Sequence, residues 1–96
     1  MYLIKKTTHG KKFNRQSLFY EFSYCTKEDA LFDMIKIAEL EVKCRNIRFF
    51  NEKELLGIIR HDDRYRVIVD KEKYKVYLVD GNFIFCEYSI EIKKGV

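Results

Sequence analysis

From Arg64 to Ile92 the chain keeps a two-residue apolar–polar period, broken only around Asp70-Lys71-Glu72-Lys73 and Asp80-Gly81-Asn82. A period of two puts successive side chains on opposite faces of an extended backbone, so three strands, Arg64–Asp70, Tyr74–Asp80 and Phe83–Ile92, are expected to form an antiparallel meander. A one-residue slip would exchange the two faces completely, and register can therefore be argued from residue identity. Pairing Val69 with Tyr74 gathers Tyr65, Val67, Val69, Tyr74, Val76 and Leu78 on one side. A three-residue loop at Asp80-Gly81-Asn82 continues that side through Ile84, Cys86, Tyr88, Ile90 and Ile92, whereas a two-residue loop would bring Glu87, Ser89 and Glu91 onto it. The longer loop is expected. The outer face then carries Arg64, Arg66 and Ile68, with Tyr77, Val79, Phe83 and Phe85 as an aromatic patch near Gly81. Such a patch exceeds scattered apolar exposure and reads either as a binding face or as a surface covered by the N-terminal hairpin or by residues 47–60.

Ahead of the meander, Leu18, Tyr20, Phe22 and Tyr24 alternate with Phe19, Glu21, Ser23 and Cys25, so Tyr2–Thr8 and Leu18–Cys25 are expected as a β-hairpin. Its loop, His9–Gln16, holds Gly10 and most of a basic cluster. Of 19 basic and 15 acidic side chains, Lys5, Lys6, Lys11, Lys12 and Arg15 fall in the first sixteen residues with no acid among them. The net charge of +4 is thus concentrated at one end of a nearly neutral body. Such a field steers association with anionic partners, although a lysine-rich hairpin also serves as an edge that resists aggregation.

Thr26-Lys27-Glu28-Asp29 is a helix start, the threonine hydroxyl accepting a backbone N–H and the acids complementing the helix dipole, and the helix is placed at 27–45. At 100° per residue Leu31, Met34, Ile35, Ala38 and Val42 form a core stripe. Ala30, Ile37, Leu40 and Cys44 form a second apolar arc, which one sheet cannot also cover. Either a short helix capped by Asn51 and Glu54, bearing Leu55, Leu56, Ile58 and Ile59 around Gly57, packs there, or a second copy of the chain does.

Ninety-six residues at 47 % hydrophobic are enough for one core and one domain, 1–96, divided into a basic hairpin (1–25), a helical segment (26–60) and the meander (64–92). The expected architecture is α+β, in the order β-β-α-(short α)-β-β-β. No apolar run approaches the ~18 residues that span a bilayer, and the charges of MYLIKKTTHGKK follow a very short apolar stretch, the reverse of a signal peptide. A cytoplasmic protein with no membrane partner is expected. Abundant Lys, Ile, Tyr, Phe and Asn without Trp or Pro is the usage of AT-rich coding, pointing to a low-GC bacterium or its phage.

Chemistry is sparse. Cys25, Cys44 and Cys86 are odd in number, widely spaced and set in apolar patterns, so reduced core thiols are expected. No Cys-x-x-Cys or His-x-x-x-His pair is present, and His61-Asp62-Asp63, three neighbours in a linker, is a poor ligand set. No metal or cofactor is expected. Phosphate-cradling glycine loops, Gly-x-Ser-x-Gly and His-Glu-x-x-His are all absent. One enzyme class stays open: a small ribonuclease-type toxin, in which Arg64, Arg66, Lys75, Tyr77 and His61 would stabilise a phosphorane. The same residues permit nucleic-acid binding, with Tyr77, Phe83 or Phe85 stacking on bases, although Glu87 and Glu91 nearby repel phosphate.

The favoured expectation is a non-enzymatic interaction module, a bacterial or phage accessory protein that binds and modulates a larger macromolecule. Its contact residues would be Lys5, Lys6, Lys11, Lys12 and Arg15 toward an acidic or nucleic-acid-handling protein, and Arg64, Arg66, Tyr77, Phe83 and Phe85 on the sheet. Nucleic acid is the alternative partner.

Overall fold

Thr26 starts the helix as its hydroxyl predicts: Thr26 Oγ1 accepts the Asp29 N–H at 3.1 Å, and the Ala30 N–H reaches the Thr26 carbonyl at 3.3 Å. The computed structural model describes residues 1–10, 14–55 and 64–92. Along it run β1 (Tyr2–His9), β2 (Asn14–Tyr24), α1 (Lys27–Leu55), β3 (Tyr65–Asp70), β4 (Lys75–Asp80) and β5 (Phe83–Ile92). The expected α+β arrangement is present: one helix packs on a five-stranded antiparallel sheet of order β2-β1-β5-β4-β3, with the C-terminal meander on one side. The N-terminal hairpin does not lie over the meander. It extends the sheet edge to edge, β1 pairing with β5 from Tyr2↔Ile92 to Thr8↔Cys86.

Three details depart from the sequence reading. First, α1 does not stop at residue 45 but runs unbroken to Leu55, because neither Gly nor Pro interrupts 45–55, and Asn46 is used sideways rather than as a cap. The proposed second helix around Gly57 lies outside the described residues. Second, β2 begins at Asn14, so His9 and Arg15 are strand residues and the loop is shorter than 9–16. Third, Val69 pairs with Val76 rather than Tyr74. That two-residue shift leaves the faces unchanged, and Tyr74 is released into the turn, where it adopts φ 52°.

The core lies between α1 and the inner sheet face. Ile4, Met34, Ala38, Val42, Val76, Leu78, Phe85, Cys86 and Tyr88 are buried together, and each large aliphatic member contributes about 1.5–3 kcal/mol relative to exposure. Only Cys86 of the three cysteines is a core thiol, and burial pushes it up to about 11; Cys25 and Cys44 are exposed. On the inner face Glu41 gathers three donors: Lys6 Nζ at 3.3 Å, the Tyr88 hydroxyl at 2.9 Å and Arg45 Nη2 at 3.5 Å.

Candidate interaction surface

The β4–β5 connection decides what faces outward. Asp80 pairs with Phe83 and Val79 with Ile84 across a two-residue turn in which Gly81 takes φ 61°, a conformation that glycine adopts without steric cost. Uniform pairing from that turn would drive Glu87 and Ser89 into the core. A register shift between Leu78 and Val79 prevents this: Leu78 pairs with Cys86, leaving Phe85 as the extra residue of a β-bulge. Phe85 consequently turns inward, 9 % exposed and part of the core. Ile84, expected inside, lies opposite Val79 on the outer side and is 41 % exposed. Phe83 shares the phase of Asp80 and Tyr65, toward the helix side, at the exposed end of its strand. The aromatic patch of Tyr77, Val79, Phe83 and Phe85 is therefore replaced by a different one.

Cross-strand neighbours Arg66, Val79 and Ile84 form one outer row, and Ile68 with Tyr77 the next. Ile68 is 51 % exposed, Tyr77 is half-buried and Val79 is buried. Charged pairs border this patch toward β1, Lys75 Nζ to Glu87 at 3.1 Å and Lys5 Nζ to Glu91 at 3.4 Å, and His9 Nε2 lies 3.7 Å from Glu87. The hydrogen bond to Glu87, and then its charge, raise the Lys75 pKa. No described element packs on this face, since α1 occupies the other.

Beside the patch runs the edge of β3. The Asn46 side chain donates from Nδ2 to the Tyr65 carbonyl and accepts the Tyr65 N–H on Oδ1, both at 2.9 Å, standing in for one residue of a neighbouring strand. Because outward-directed groups alternate along an antiparallel strand, the N–H and C=O groups of Val67 and Val69 point to that same edge, on which no described strand pairs.

At the far end of α1, arginines and rings stack alternately. Arg45 lies 4.5 Å from the Phe85 ring centroid and 5.8 Å from that of Tyr65, while Arg64 lies 5.4 Å from Tyr65 and 5.0 Å from Phe49. Arg64 also makes a two-pronged bond to Asp80 at 2.8 and 2.9 Å, which holds the Asp80 carboxyl below its usual range. Arg45, Arg48, Phe49, Arg64 and Tyr65 line a cavity of about 110 Å³.

Of the basic residues singled out in sequence, the described Lys5 and Lys6 lie on opposite faces of the sheet. Lys5 faces outward to Glu91, Lys6 faces inward to Glu41 and over the Tyr88 ring at 5.7 Å, and Arg15 is exposed on β2. Lys11, Lys12 and His61 lie outside the described residues. Arg64, expected beside Arg66 on the outer face, instead stacks at the helix end, because the ion pair with Asp80 draws it there. Arg66 and Tyr77 keep their outer positions. Arg45, Arg48 and Phe49 were not legible as site residues, since their meeting with β3 requires a helix that continues past residue 45. Among the described residues no three His, Cys, Asp or Glu side chains are grouped to hold a metal, and no helix is long and apolar enough to cross a membrane. Searches of protein-family models, curated proteins and solved structures return no match to this chain.

Proposed function

We propose that this protein is a non-enzymatic module that binds another protein through the outer face of β3, β4 and β5. One observation carries the reading: Ile68 and Ile84 stand exposed around Tyr77 and Val79 on a sheet face that no described element covers. An apolar centre rimmed by charged pairs is the anatomy of a protein contact, and the edge at Val67 and Val69, which no described strand occupies, lets the partner add an extended segment. The test is affinity purification from the native source with wild type and an Ile68→Asp/Ile84→Asp variant, followed by quantitative mass spectrometry. A specific protein recovered with wild type and reduced about tenfold or more with the folded variant supports the proposal. Equal recovery from both refutes it.

Nucleic-acid binding is the second reading, favoured by Arg45 and Arg64 stacked against Tyr65 and Phe49, with Arg48 lining the same cavity. Against it, Arg64 and Arg45 already have carboxylate partners in Asp80 and Glu41. It predicts that a labelled single-stranded oligonucleotide binds at about 50 mM salt, with an affinity that falls steeply as salt rises and drops on Arg48→Ala. Absence of binding removes it.

A further inference from the structure

The side of α1 turned away from the sheet carries an apolar stripe with a 3-4-3 spacing, Ile37, Leu40, Cys44 and Ile47. At 100° per residue the four fall within about 80° of one another, the width of a helix-pairing seam. Leu40 is 64 % and Ile47 52 % exposed, Cys44 is exposed, and Ile37 bridges the stripe to the core. Exposed Phe32 flanks it. A water-facing surface does not require this pattern, which repeats over three turns of a helix whose opposite face is already buried.

What occupies the stripe is indicated by two symmetries that share a centre. The stripe is symmetric about residue 42, since Ile37 and Ile47 lie equally far from it, as do Leu40 and Cys44. Charge reverses at the same level. From Glu28 to Glu41 the charged residues are acidic apart from Lys36, and from Lys43 to Arg48 all of them are basic. A two-fold axis at the level of Val42 therefore brings Glu39 and Glu41 level with Arg45 and Lys43 of a copy and sets Lys43 near Glu39 of the second chain on the same flank. The exceptions are Lys36, which falls level with the second copy's Arg48, and Glu52 and Glu54, which fall level with its acidic first turns. A parallel pair would align like charges along the whole helix.

We infer that a second copy of this chain packs antiparallel on α1 through Ile37, Leu40, Cys44 and Ile47, giving a β-α-α-β dimer. The contact is isologous, as two-fold homodimers require, and leaves both outer sheet faces free. It is independent of the protein-binding reading above, because the sheet face and the helix stripe lie on opposite sides of the molecule.

Sedimentation equilibrium over a range of concentrations tests the association, and crosslinking tests its direction. Wild type is expected to dimerise, and Leu40→Lys to weaken dimerisation about tenfold or more while keeping its circular dichroism, with Ile47→Lys as the second variant. In the antiparallel register the two Cys44 residues are offset by four positions, about 6 Å along the axis, whereas cysteines at position 36 are offset by about 18 Å. With Cys25 replaced by serine, a short bismaleimide should therefore link Cys44 to Cys44 of the second copy. It should fail in a Lys36→Cys/Cys44→Ser variant. A chain that stays monomeric at all concentrations, a dimer unaffected by both lysine variants but lost on Ile68→Asp/Ile84→Asp, or efficient linkage at position 36 would each overturn the inference.

Discussion

Glu41 is an acid on the inner side of the helix, where an unpaired carboxylate would be costly, and it is tolerated because Lys6, Tyr88 and Arg45 all direct donors at it. Tyr88 is one of its two strand-side members, with Lys6. Burial, and then the charge and hydrogen bond of Glu41, raise its hydroxyl pKa above the ordinary tyrosine value. The folded chain thus keeps this proton at a pH where the unfolded chain has lost it, so its stabilisation is complete below about pH 10 and declines as pH rises further. Cys86, pushed up to about 11, and Tyr24, pushed up to about 12 by burial and Asp33, act in the same direction. Tyr88→Phe is expected to cost about 1 kcal/mol at neutral pH through the lost hydrogen bond. That difference should shrink at about pH 11, because the phenylalanine variant no longer has a proton to lose there; urea denaturation at the two pH values measures it. None of this network was legible in the sequence. Glu41 is 35 residues from Lys6 and 47 from Tyr88, and residue type alone does not select one carboxylate among fifteen.

Among the elements, strand β5 shows how a period-two argument succeeds and where it fails. The alternation correctly places Cys86, Tyr88 and Ile90 toward the core, because that phase keeps Glu87 and Glu91 in water. Near the turn the same argument inverts Ile84 and Phe85, because it assumes one uniform register. A bulge lets a two-residue turn and the correct downstream phase coexist, at the cost of one unpaired residue. Phe85→Ala should therefore destabilise the fold by about 3–5 kcal/mol, as for a buried aromatic, whereas Phe83→Ala should change it by less than about 1 kcal/mol. Thermal melts of the two variants decide the matter, and similar costs for both would contradict the bulge. The helix start was readable because a cap is local chemistry. Its end was not, since Asn46, a residue common at helix ends, is instead engaged by the backbone of Tyr65 nineteen positions away.

For the whole molecule, ties between distant segments set the behaviour in acid. The bidentate hydrogen bonds from Arg64 lower the Asp80 pKa, and the Tyr74 hydroxyl, 2.8 Å from Glu28, lowers that of Glu28. The first joins the start of β3 to the end of β4, and the second joins the helix start to the β3–β4 turn. Lowered carboxylate values contribute stability above the unfolded value of about 4 and lose it as pH falls through the folded value. The melting temperature of wild type should accordingly fall below about pH 4, and Asp80→Asn, less stable at neutral pH, should approach wild type below about pH 3. Melting curves across that interval check it. The sequence by itself determined the periods: a capped amphipathic helix, two sets of alternating strands, and hence an α+β fold whose apolar residues could be assigned to faces. Tertiary structure alone decided that the hairpin extends the sheet instead of covering it, that Phe85 turns inward while Ile84 turns out, and that Lys5 and Lys6 separate. The physical reason is that periodicity is a property of neighbours along the chain, whereas a bulge, an edge-to-edge pairing or an ion pair is selected by whichever distant residues must be buried or neutralised together.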